Sequence, residues 1–496
     1  MTEQTKRTQL VAATRAARST PLSWSLQAQY GVGSLVDGLV AAGLNFFLLF
    51  YLTAVCGMSG TMAGMATMTA LLIDGVADPA IGLASDRLKS RWGRRLPFMV
   101  FSLIPFAVSF GLVFSMPASL TGAAQFLYVT VSLILLRLSL SAFILPFTAV
   151  GAEITDDYHE RASIVSSRLI FQNAGVLCGV ILGLGVFLSG AHGLLLRQNY
   201  LPFAWTYAAV IVVSGLIAIG AVRRALPRLH VPHVDEGSFL AGLKRELIEL
   251  SRSRSFLVLF ATLVVYFVAS SAYVSLALYA SRYFWKLDNT QIQLVLLSTT
   301  LGPLLGAPLS ALVLRHVEKR ALEIACMLGV AVFLVWPPLL KLYAPVSISP
   351  AAATALLIAN GILLGTAMMI GGIAFQSMMA DAADEHEWLF GVRREGLFFS
   401  GLILAFKAAS GIGGLIAGVA LDAIHFPIHL VSVGAKAAIP AAVIARLGLI
   451  SGPLPAIVVA IAPVFLFGYH LTRTKHAEIL AKLKERHEVT SKKPTD

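Results

Sequence analysis

Twelve stretches of this chain are apolar over a length that crosses a bilayer, and that pattern decides most of what the chain can become. They begin near Tyr30, Thr61, Pro97, Thr121, Arg168 and Pro202, then near Ser255, Gln291, Ala321, Ala351, Gly396 and Gly452. Roughly 20 apolar residues at about 1.5 Å of rise each cover the hydrocarbon core. Backbone polar groups in lipid must find partners inside their own segment, so each run reads as a helix. Composition agrees: 57% of residues are hydrophobic and 13% charged, with a mean hydropathy of +0.79, against roughly a quarter charged in soluble domains. The expected fold is an all-α membrane protein with twelve transmembrane helices.

The distribution of charge gives the orientation. With the N-terminus placed in the cytoplasm, most of the 38 Lys and Arg fall in cytoplasmic segments or at their edges. Arg197, Arg282, Lys286, Lys341, Lys436 and Arg446 fall outside, and Arg137 and Lys407 lie within spans. That is the positive-inside pattern for an even number of spans with both termini cytoplasmic, in a plasma (bacterial inner) membrane. The net charge of +12 is therefore topological and does not point to nucleic acid. Residues 1–28 are polar and basic and read as a cytoplasmic tail, not a cleavable signal. Cys56, Cys178 and Cys326 form no motif and read as free thiols.

The longest polar interruption, Arg223 to Arg254, divides six spans from six. The expected organisation is a tail (1–28), an N-terminal bundle (29–223), a central loop (224–254), a C-terminal bundle (255–472) and a second tail (473–496). Within the loop, Phe239, Leu240, Leu243, Leu247 and Leu250 fit an amphipathic helix on the membrane surface. The connection from Leu421 to Ser451 reads as an external loop containing a short apolar helix. The halves also repeat: AEITDDYHERAS around Ala152 and ADAADEHEWLFG around Ala380 superimpose Glu153 on Asp381 and Asp156 on Asp384. Two six-span halves related as parallel repeats is the major facilitator architecture.

Charges at membrane depth mark the chemistry. Asp74 and Asp78 lie four residues apart and share a helix face. Counted back from Asp86, they sit roughly 18 Å and 12 Å deep, where each acid costs about 2.5–3.5 kcal/mol to insert. Asp37, Arg137, Arg168 and Lys407 are the other deep ionisable residues, Arg168 at the opening of its span and Lys407 roughly 16 Å into the eleventh. Two carboxylates on one face supply hard oxygen ligands for Na⁺ or sites for H⁺. Structural ion pairs between helices are the alternative. Pro79 has no N–H, which frees the carbonyl of Gly75 for another partner. No His lies deep in a span, and neither a metal-ligand cluster nor a phosphate-binding glycine loop is present. The chain is thus expected to be no enzyme and to need no cofactor beyond a coupling ion.

The sequence resembles the glycoside–pentoside–hexuronide:cation symporters. The resemblance rests on Tyr30–Gly31–Val32–Gly33, on DGVADPAIG…SDRLKSRWGRRLPF, on EITDDYHERAS leading to Arg168, and on ADAADEHEW…RREGLFFSG with Lys407. It implies that Asp74 and Asp78 bind the cation, that Lys407 is their charge partner, and that Arg168 contacts substrate, with Gln172 and Asn173 as further substrate-binding candidates. The melibiose permease of that family carries a further helix-one acid where this chain has Gly38, with Asp37 one residue away. About 100° of helix rotation separates the two positions. Its acid–tryptophan sugar clamp corresponds to Ile144 and Thr148 beside Pro146, so the clamp is absent here.

The expected function is cation-coupled symport of an organic solute, a sugar, glycoside or uronide, by alternating access in a monomer. A lysolipid or other amphiphile is the alternative cargo, and a non-transporting membrane sensor is the alternative class. The gate would pair Asp86, Arg87, Arg91 and Arg94 with Glu153, Asp157, Asp381 and Asp384.

Overall fold

The computed structural model describes residues 21–88, 90–155, 157–190, 192–228, 248, 250–343, 349–391, 395–428 and 439–491. These form helices and connections, with no strand among the described residues. Twelve helices are long and apolar enough to cross a membrane. The first six are α1 (Trp24–Leu48), α2 (Gly60–Arg87), α3 (Leu96–Val113), α4 (Gly122–Glu153), α5 (Tyr158–Val180, continued in wider turns through Ile181–Phe187) and α6 (Arg197–Ala225). The second six are α7 (Arg254–Tyr279), α8 (Asn289–His316), α9 (Lys319–Tyr343), α10 (Pro350–Phe390), α11 (Glu395–Ala423) and α12 (Ala441–Leu466). A further helix, α13 (Arg473–Ser491), occupies the stretch read as a polar tail.

Two boundaries differ from the hydropathy reading. The fifth helix starts at Tyr158, with the Asp157 carboxylate accepting from the Glu160 N–H at 2.8 Å as its N-cap. Its first turns are polar, so hydropathy places the start ten residues too late. Arg168 is consequently a mid-helix residue. The second difference is α12, which begins at Ala441 and passes a joint at Gly452 (φ −135°, ψ −68°) before Pro453 restarts it. The end of the segment read as external loop, Ala441–Ser451, is the first part of the span. Proline at a first helical turn loses no hydrogen bond, which lets the joint break the ladder cheaply. The proposed amphipathic helix of the central loop lies almost wholly outside the described residues.

The chain divides into two compact units. The first holds α1 to α6, together with Asp288–Gln293 and the end of α11 from Leu415; the second holds the remaining helices. In the first, α1 packs on α5 and α6, α3 on α4 and α6, and α2 on α4. In the second, α9 packs on α10 and α12, and α7 on α12. Close glycine contacts add α8 on α10, through Gly302 and Gly365, and α7 on α11, where Gly413 meets the Val268 carbonyl. Adding six to each helix number of the first set gives the second. The sequence repeat is therefore a packing repeat.

Candidate functional site

Asp74 lies midway along α2, roughly 20 Å from either end by helical rise. The helix runs unbroken through Pro79. Asp74 is 1% exposed, and its Oδ1 accepts from the Ser141 hydroxyl of α4 at 2.7 Å. Asp78 follows one turn on and is half-buried, while Val76 between them is 78% exposed. The helix therefore turns its acids toward α4 and an apolar edge away. Asp37, on α1, accepts from the Gln172 amide of α5 at 2.6 Å.

Arg137 of α4 joins these groups. It interacts electrostatically with Asp74, Asp37 and Asp78 together. Three carboxylates on two helices thus lie within electrostatic reach of one guanidinium on a third. The hydropathy pattern gave Arg137 no particular role, because its partners lie on other helices. Gly38 explains why no acid stands at that position: a Cβ there would collide with the Gln172 carbonyl of α5. The backbones of α1 and α5 touch at Gly38 and Gly175, and the acid is displaced to Asp37.

Arg168 sits on α5, half-buried, with its guanidinium 5.6 Å from the centre of the Phe147 ring. Tyr30 stacks on the same ring at 4.4 Å and donates its hydroxyl to the Phe147 carbonyl. Arg168 Nε has no hydrogen-bond partner among the described residues. An arginine held by an aromatic face with a buried N–H to spare is suited to a polar ligand. Tyr30 belongs to the Tyr30–Gly33 block, but nothing in the sequence ties it to Phe147. Ile144 and Thr148 are half-buried on one face of α4, and the Thr148 hydroxyl bonds back to the Leu145 carbonyl at 2.9 Å. Asn173 bonds the Leu169 carbonyl of its own helix and is exposed.

The loop charges form a cluster within each unit. In the first, Glu153 at the end of α4 contacts Arg94 at 2.6 Å and Arg95 at 3.0 Å, and Arg95 reaches Asp86 at 2.9 Å. In the second, Asp381 of α10 contacts Lys319 at 2.6 Å, and His476 of α13 contacts Asp384 at 3.0 Å. Arg91 lies over Trp92 at 5.7 Å. Arg87 is exposed at the last residue of α2, and Lys407 is half-buried on α11 in the second unit.

Twelve helices in two repeating sets, with acids buried at mid-helix, define a secondary transporter of the major facilitator class. Residues 29–473 match the family described as MFS/sugar transport protein, and the chain belongs to it. It is similar to an uncharacterized symporter of Synechocystis sp., 26% identical over 94% of this chain and 97% of the relative. It is also similar to the isoprimeverose transporter of Lactiplantibacillus pentosus, 24% identical over 81% of this chain and 80% of the relative. The solved structure of a D-xylose–proton symporter shares the fold, with a TM-score of 0.60 at 14% identity over 90% of this chain and 98% of that one.

Proposed function

We propose that this multi-pass membrane protein carries a sugar, glycoside or uronide together with one Na⁺ or H⁺, and that Asp74, Asp78 and Asp37 hold the coupling ion. One observation carries the reading. The spans of the first unit carry three carboxylates, Asp37, Asp74 and Asp78, and two guanidiniums, Arg137 and Arg168, and the three acids act together on Arg137. A single monovalent cation neutralises that set, and uncompensated charge in lipid is expensive. The family resemblance makes Lys407 the charge partner of this set. Arg168, Gln172 and Asn173 orient the solute with Ile144 and Thr148. The isoprimeverose transporter among the relatives supports a glycoside cargo. Ile144 and Thr148, where an acid and an aromatic would grip a sugar, favour an amphiphile as the second reading.

Both termini are cytoplasmic in this reading and the monomer is the working unit. Asp86, Arg87, Arg91, Arg94, Glu153, Asp157, Asp381 and Asp384 form the cytoplasmic gate, paired in the outward-open state and separated when the inside opens. Uptake by proteoliposomes under an imposed Na⁺ or proton gradient tests the ion site. Asp78→Asn should shift gradient-driven accumulation to about 30-fold higher ion concentration in protein that still inserts. Unshifted coupling in that variant would reduce the acids to structural ion pairs.

A further inference from the structure

The second unit buries an acid to which the proposed symport assigns no role. Glu323 lies one turn into α9 and is 4% exposed. Its Oε2 has no hydrogen-bond partner among the described residues. A carboxyl group so placed gives up hydration and gains no donor in return, and an ammonium that supplied one would hold it ionised.

The group faces space. Glu323 lines a cavity of about 420 Å³ between α7, α9, α10 and α11, wholly within the second unit. Its other polar lining groups are Tyr266, Cys326 and Gln376, and the rest of the wall is apolar. Phe267 is the hub of an aromatic cluster, edge-on to Phe406 at 4.8 Å and to Tyr266 at 5.6 Å. Two glycines of α10 keep the floor clear. A Cβ on Gly371 would stand 3.0 Å from Glu323 Oε2, and one on Gly372 would meet nothing within 4 Å. On the α11 side Ile403 and Phe406 are 57% and 48% exposed, which leaves a way in.

We propose that this cavity binds a small lipophilic amine, with the ammonium on Glu323 and the apolar end among the aromatic side chains. An ammonium supplies the missing donors as charge-assisted hydrogen bonds. The ring faces add cation–π attraction. The volume suits a compact molecule, within the usual range for ligand pockets. The cavity is lined by residues of the second unit alone, and the proposal does not depend on the transport reading.

The test is equilibrium binding to the purified full chain in detergent, with empty micelles subtracted. The probes are 4-phenylbutylamine, 4-phenylbutan-1-ol and 4-phenylbutanoate. The amine should bind saturably at one site, at least tenfold tighter than the alcohol, and the carboxylate should not bind. Glu323→Gln should weaken the amine at least tenfold and leave the alcohol unchanged. Gly372→Leu, which fills the cavity and keeps the acid, should remove both, with a thermal melt to verify the fold. Asp78→Asn should bind the amine as the unaltered chain does, which separates failure of this site from failure of the ion site. Equal binding of amine and alcohol would overturn the proposal, as would undiminished amine binding in Glu323→Gln or in Gly372→Leu.

Discussion

In the first unit the acid at the end of α4, Glu153, holds Arg94 and Arg95 at the head of α3; in the second, Asp381 near the end of α10 holds Lys319 at the head of α9. The interiors do not match. The first unit packs rings, with Phe110 stacked on Tyr207 at 5.4 Å and Phe203 against Phe47 at 5.4 Å. The second also packs rings, with Phe256 edge-on to Phe398 at 5.0 Å, around Leu259, Met327, Met378, Met379 and Val459. The first places three carboxylates and Arg137 at depth, whereas the second buries Glu323 beside a cavity. The clamp between neighbouring helix ends serves any pair of helices in this arrangement, so both repeats keep it. Interior chemistry serves one task in each unit, so there the repeats part.

The sharpest way to break this comparison is the ion site. Loss of one charged ligand, at about 2 kcal/mol, should weaken the coupling ion about 30-fold in Asp78→Asn. Na⁺ or pH dependence of uptake by proteoliposomes is the readout, and an unchanged half-saturating ion concentration would put the asymmetry elsewhere. Next come the helix crossings. Gly38→Ala drives a methyl into the Gln172 carbonyl, and Gly365→Ala drives one into the Thr299 carbonyl. Each should lower stability by about 1–3 kcal/mol, seen as reduced yield and an earlier melt. A large loss in only one would show that the packing repeat is unequal.

The charge clamps should give a nearly matched pair. Glu153→Gln and Asp381→Asn each remove a charged acceptor from a partly buried cluster, at about 2 kcal/mol. Melts that differ by more than that would mean the two clamps are not equivalent. The smallest effect concerns Asp422, whose carboxylate accepts from the Gly60 and Thr61 N–H groups at 2.9 and 2.7 Å at the head of α2. Asp422→Ala should cost about 1 kcal/mol, the usual value of a helix cap. An unshifted melting temperature would show that Ser59, which also caps that helix, suffices alone.

Asp74 and Asp78 could be read from the chain because their pairing is a matter of helical spacing within one segment. Arg137 could be seen inside its span but not assigned a task, since its three partners come from α1 and α2. Hydropathy places Arg168 toward a helix end because polar residues open α5 from Tyr158 and a polar turn carries no apolar signal. Glu323 does not stand out in the sequence for the related reason that it lies one turn from a helix start, where acids are ordinary.

The sequence by itself determined twelve helices, their division into two sets of six and the shared face of Asp74 and Asp78. Each of these follows from local periodicity or from the transfer of apolar segments into lipid. Only the tertiary structure decided that Gly38 yields its place to Asp37, that Arg137 gathers three acids, and that Glu323 faces an apolar cavity. Those outcomes depend on how each helix is rotated and how closely its neighbours approach, and a linear pattern does not carry that information.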